Sequence, residues 1–171
     1  TMGNDIRYMP EKLEQASNFA NKIWNAAKFI TNSLEPDEKI IEFYNKVYNV
    51  EKKEFNGEML KIEDKWILNK LNTLIKDITK LIEDYDLGIA LDKIYNFIWN
   101  EFCDWYIEIC KTRIYSDDAE ERVTVDFVLD YVLRNALKLL HPFMPFVTSE
   151  IYSKLVHYDD IDIMMSNWPE Y

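Results

Sequence analysis

Three carboxylates, Glu101, Asp104 and Glu108, share one face of a helical stretch that reads FIWNEFCDWYIE from residue 97. Acids at this spacing can hold a metal pair when facing helices add Glu-x-x-His motifs, as in di-iron bundles. The chain has only two histidines, His141 and His157, and a lysine stands three positions before each. The acids therefore read as a solvated face, and no metal site is expected. His141 lies in LLHPFMPF, where Pro142 ends a helix, so it reads as a helix-terminal histidine near the negative end of the dipole. No recognisable nucleophile or orienting acid accompanies it. Glycine-rich phosphate loops, CxxC pairs and HExxH are all missing, and no catalytic residue is expected in this chain.

Residues suited to binding are easier to find. Asn18, Asn21, Asn25, Lys28 and Asn32 fall within about 80° of one another on a helical wheel, with Trp24 on one flank and no acid among them. Amides both donate and accept, so such a stripe suits base edges or sugar hydroxyls exposed by a single-stranded loop. Trp66 lies outside the apolar arc of a second helix, near Lys70 and Thr73, and can stack on a base beside a cation that neutralises phosphate. Arg134 and Lys138 share the non-core side of a later helix with Phe127 and Tyr131. A solvated surface is the plain alternative for each of these groups.

These residues need helices to position them. The 171 residues are 48% hydrophobic, enough for one ordinary domain with a real core. The net charge is −11, which excludes a wholly basic nucleic-acid-binding surface, but the acid is unevenly spread. Residues 15–34 carry no carboxylate, and residues 123–158 balance three acids with three bases. No apolar run reaches 18 residues and the first ten lack a signal-peptide pattern, so a cytoplasmic protein without a membrane span is expected. Cys103 and Cys110 are seven apart on one helix, about 10.5 Å along its axis and beyond disulfide reach. They read as reduced thiols at the edge of the core.

Apolar residues in steps of three and four predict a helix from Pro10 to near Glu35-Pro36, a second from about Glu63 to Tyr85 and a third from Leu87, capped by Asp86, to about Ile114. In the third, Tyr95, Ile98, Trp99, Phe102, Trp105, Tyr106 and Ile109 fall within an arc of about 140° at 100° per residue, which predicts a continuous aromatic seam in the core. Ser116–Glu121 reads as an acidic, solvated connection to a fourth helix on Val125 to Leu140, and Thr148–Val156 as a short fifth. Between the first and second helices, Ile40, Ile41, Phe43, Tyr44, Val47 and Tyr48 suggest a short helix before a turn at Asn56-Gly57. With three glycines and no alternating strand pattern, the fold class is all-α, an antiparallel bundle of four to five main helices.

Four strings, FANKIWNAAKFI from residue 19, DKWILNKLN from 64, FIWNEFCDWYIE from 97 and LLHPFMPFVTSEIY from 139, resemble the helical anticodon-binding domain of the valyl-tRNA synthetase family, in the family's order. EFCDWY discriminates most, because the isoleucyl and leucyl relatives share the bundle but differ there. TMGNDIRY resembles the segment that leaves the catalytic core, and NWPE the segment before the C-terminal arm. The resemblance implies a segment leaving the core at 1–13, the binding domain at 14–158 and a tail toward the arm at 159–171.

The resemblance implies further that this chain supplies recognition of the tRNA(Val) anticodon stem-loop. Aminoacylation, with ATP and magnesium, and editing would lie in other domains, and the catalytic domain and C-terminal coiled coil would be partners in cis. Of the family's loop-facing positions, the basic one corresponds to Lys28 and the aromatic one to Trp66. Many relatives carry Arg at the first, so this chain lacks bidentate guanidinium recognition there. Residues 35–61 are longer than the family pattern. The contact set expected is Lys28, Trp66, Lys70, Asn21, Asn25, Arg134 and Lys138, with no cofactor in this segment. The competing readings are a related isoleucyl-type domain, or a structural bundle whose Asn stripe docks another protein domain.

Overall fold

The computed structural model describes residues 9–33, 46–49, 52, 54–155 and 162–171. The expected short helix on Ile40, Ile41, Phe43 and Tyr44, the segment 1–8, and His157 lie outside them. Helix α1 spans Pro10–Ser33 and α2 spans Ile62–Glu83. A long helix follows in three parts: α3 (Leu87–Asn96), a π segment (Phe97–Tyr106) and α4 (Ile107–Ile114). Then come α5 (Ala119–Leu140) and α6 (Pro145–Tyr152), and a single 3₁₀ turn at Ile163–Met165. The expectation of an all-α bundle of four to five main helices holds. Among the described residues, no helix is long and apolar enough to cross a membrane.

Contacts set the directions. Asp64 meets Tyr106, Lys70 meets Glu101 at 2.9 Å and Asp77 meets Lys93 at 2.6 Å, so α2 runs antiparallel to the long helix. On its other side, Phe19 packs 4.7 Å from Tyr95 and Lys111 lies 6.0 Å from the Phe29 ring, so α1 runs parallel to it. The C-terminal end of α1 and the N-terminal end of α2 thus flank the same stretch of the long helix. Helix α6 folds back on α5 through Pro142–Met144, with Arg134 5.7 Å over Tyr152.

The π segment alters the face that the wheel predicts. Ile107 N–H bonds Phe102 O, an i→i+5 step that widens the turn beyond the 3.6 residues of an α-helix. Residues four apart then stay nearly in line, and the buried stripe runs Ile98, Phe102, Tyr106, Cys110, Ile114. The expected seam is corrected at three positions: Trp105 is 64% exposed, Ile109 43% and Tyr95 36%.

The connections depart from expectation as well. Asp86 offers α3 no side-chain cap. Its N–H instead bonds Leu81 O at 2.8 Å while Tyr85 N–H bonds Ile82 O at 3.1 Å, a Schellman closure of α2 that puts Tyr85 at φ 61°. The acidic connection is only residues 116–118: α5 begins at Ala119, and Asp118 accepts from the N–H groups of Glu120 and Glu121. A two-stranded hairpin, β1 (Tyr48–Asn49) against β2 (Glu54–Phe55), precedes the expected turn at Asn56-Gly57. Tyr48 and Phe55 pack on Phe127 and Tyr131, so that side of α5 is covered rather than free.

Candidate nucleic-acid interface

Helix α1 buries Phe19, Ile23, Ala27 and Ile30, and this fixes its outward face. Asn18, Asn21, Asn25, Lys28 and Asn32 are all exposed there, as the spacing predicts. On one flank Lys22 bonds Asp104 at 2.5 Å and lies 3.9 Å over the Trp99 ring. On the other flank, α1 and α6 enclose a groove of about 360 Å³ lined by Trp24, Ala27, Lys28, Thr31, Asn32, Ile151 and Lys154.

Trp66 is half-buried against the core at the start of α2. Its helix end is held by a fully buried carboxylate two residues earlier. Asp64 accepts from Tyr106 Oη at 2.7 Å, from Arg113 Nη1 at 2.7 Å and Nη2 at 2.9 Å, and from the Lys61 N–H at 2.9 Å. Arg113 also donates to Glu63 at 3.1 Å, and its Nε lies 3.3 Å from Glu121 without bonding geometry. Burial opposes the charge on Arg113, but the Asp64 hydrogen bonds and charge outweigh it, and its pKa is raised. Tyr106, raised first by burial and then by Cys110 and Asp64, stays a neutral donor.

Lys28 and Trp66 therefore stand at the same end of the bundle, on opposite sides of the long helix. Between them that helix presents Trp105, which occupies the turn after Glu101 just as Trp66 occupies the turn before Lys70. Each acid on this face meets a lysine: Glu101 with Lys70, Asp104 with Lys22, and Glu108 with Lys111 at 2.7 Å. Among the described residues no acid, histidine and cysteine group could hold a metal. Pairing removes most of the repulsion that three bare acids would exert on phosphate, and it also engages Lys70. An exposed pair of this kind is worth about 0–1 kcal/mol, so Lys70 can exchange Glu101 for a phosphate at small cost.

Arg134 and Lys138 are not brought to this end. Arg134 is half-buried, its Nε 2.6 Å from Asp130 and its guanidinium over Tyr152, so it clamps α5 to α6. Lys138 lines a separate groove of about 390 Å³ with Asn72, Tyr131 and the tail Asn167–Tyr171. That tail is anchored further along α2, where Trp168 Nε1 donates to Thr79 at 2.9 Å. His141 keeps the helix-terminal place expected of it, its Nδ1 2.7 Å from the Thr148 hydroxyl. The Thr148 hydroxyl also reaches the Met144 carbonyl at 2.8 Å and the Pro145 carbonyl at 3.1 Å.

Two residues of this surface were not among the expected contacts. The α-helical wheel places Trp105 in the core, and only the π turn brings it to the surface. Lys154 reaches Trp24, 4.3 Å from its ring centroid, through a packing of α6 on α1 that no local spacing records.

A family model described as the anticodon-binding domain of tRNA ligases matches residues 64–171. Valine–tRNA ligase of Clostridium perfringens is 46% identical over 169 residues, which are 99% of this chain and 18% of that protein. The corresponding protein of Clostridium tetani is 44% identical over 169 residues, again 99% of this chain and 18% of the relative. That of Staphylococcus epidermidis is 42% identical over 167 residues, 98% of this chain and 18% of the relative. The chain thus spans 18% of the length of these relatives.

Proposed function

Because the chain belongs to the family of anticodon-binding domains of tRNA ligases, we propose that it grips the anticodon stem-loop of a valine tRNA as the recognition part of a valine–tRNA ligase. The observation that carries this is the outward face of α1, where four asparagines and Lys28 are exposed with no carboxylate among them in a chain of net charge −11. Lys28 supplies a point charge for backbone phosphate, Asn21 and Asn25 offer paired donors and acceptors to base edges, and Trp66 supplies a half-buried stacking edge. Trp105 extends the aromatic surface between them. The valine ligases among the relatives favour the valyl reading over an isoleucyl one.

The remaining parts of this reading concern the longer protein. Attachment of valine to tRNA, with ATP and magnesium, belongs to a catalytic domain in cis, followed by a C-terminal coiled coil, in the cytoplasm. That activity belongs to the longer protein, and the expected result for the isolated chain is no valine-dependent pyrophosphate exchange. The direct test is a salt titration of the 171-residue chain with valine tRNA. Log affinity falls linearly with log salt, and Lys28→Ala reduces the slope by about 0.7 to 0.9, the share of one phosphate contact. An unchanged slope would remove Lys28 from the interface.

A further inference from the structure

We infer that the groove between α1 and α6 receives one unstacked nucleobase of the bound loop, with the adjoining phosphate on Lys28 and Lys154. This deepens the function proposed above and rests on it. The groove has an indole wall in Trp24, an aliphatic floor in Ala27 and Ile151, and polar edges in Thr31 and Asn32. Its volume of about 360 Å³ admits a planar base. Among the described residues two ammonium groups line it and no carboxylate does, so the charge of this lining complements a nucleotide.

The Thr31 hydroxyl donates to the Ala27 carbonyl at 3.0 Å or the Lys28 carbonyl at 3.2 Å, which leaves its oxygen free to accept from a base amino group. The Asn32 amide, exposed at the rim, can both donate and accept. Lys154 lies over Trp24 and bonds Glu150 at 2.8 Å, with both side chains more than half exposed. Such contacts are weak enough for an arriving base to displace the ammonium from the ring and send it to the phosphate. The groove adjoins the Asn21, Asn25 and Lys28 face, so a loop gripped there need extrude only a neighbouring base to reach Trp24.

The test uses the 171-residue chain and a hairpin RNA carrying a valine anticodon loop, together with versions in which one loop nucleotide at a time is abasic. Trp24→Leu should weaken binding of the intact hairpin by roughly 5- to 150-fold, the effect of losing one stacked base. Trp24→Phe should retain most of it. Lys154→Ala, at an exposed position that threatens no core, should weaken binding and lower the salt slope. At one loop position the abasic RNA should bind wild type and Trp24→Leu equally, because the base that Trp24 stacks is already gone.

Wild-type affinity in both Trp24→Leu and Lys154→Ala, or equal Trp24→Leu losses at every abasic position, would overturn the base site while leaving RNA binding intact. Failure of the unmodified chain to bind any of these RNAs would overturn the proposed function, and this inference with it.

Discussion

Replacing Tyr106 by Phe removes one hydroxyl and leaves the ring in place. That oxygen lies 2.7 Å from Asp64, whose carboxylate is fully buried and keeps three other donors: both Arg113 Nη atoms and the Lys61 N–H. The variant loses one hydrogen bond to a charged group, about 1.5–3 kcal/mol. Removing Arg113 as Leu costs more, about 3–5 kcal/mol, because a buried carboxylate then lacks its countercharge. Urea unfolding followed by circular dichroism should show the midpoint of Tyr106→Phe falling with an unchanged m value. A loss of about 2 kcal/mol lowers Tm by about 4–8 °C in a domain of this size. The double variant should be non-additive by more than about 0.5 kcal/mol, since both residues serve one carboxylate. A Tyr106→Phe change below about 0.5 kcal/mol, or simple additivity, would refute the view that this carboxylate joins α2 to the long helix through a shared network.

Other expectations follow from the same geometry. Phe102→Ala should cost about 3–5 kcal/mol in urea unfolding, whereas Trp105→Ala, at a 64% exposed position, should cost about 1 kcal/mol or less. Equal losses would restore the unbroken α-helical seam. Burial pushes Cys103 and Cys110 from 9.0 up to about 12. Folded-state values above the unfolded ones mean that this stabilisation is complete below pH 9 and is lost as pH rises toward 12, which urea midpoints against pH will show. At pH 8 a thiol reagent should label the folded chain only on unfolding, and rapid labelling without unfolding would contradict the burial of both. Tyr85→Gly should raise stability by about 1 kcal/mol in the same assay, because the left-handed φ of 61° strains a side chain that is 74% exposed.

Helices α1, α2 and α5 are legible because each carries a long apolar stripe at α-helical spacing, and their described ends lie within a few residues of the caps and prolines that mark them. The long helix is legible in extent but not in phase. Periodicity assumes 100° per residue, and the i→i+5 turn at Ile107 moves Trp105 and Ile109 outward. The hairpin of Tyr48 and Phe55 leaves no alternating signal, because each strand is two residues long. On the interface, Lys28, Asn21 and Asn25 follow directly from the amphipathicity of α1. Arg134 does not: its half-buried pairing with Asp130 and Tyr152 arises from the way α6 returns on α5, which spacing along one helix cannot express. Asp64 and Tyr106 come from two of the strings that carry the family resemblance, and they meet in one buried hydrogen bond, so part of that lettering reflects helix packing.

Equilibrium titration at low salt shows whether this helical domain reads a valine anticodon. The 171-residue chain, alone and as Lys28→Ala and Trp66→Ala, is measured against valine tRNA and against the same tRNA with its anticodon replaced. The expected result is tighter binding of the valine anticodon, with a preference that shrinks in both variants. Equal affinity for the two tRNAs, unchanged by either substitution, would contradict it.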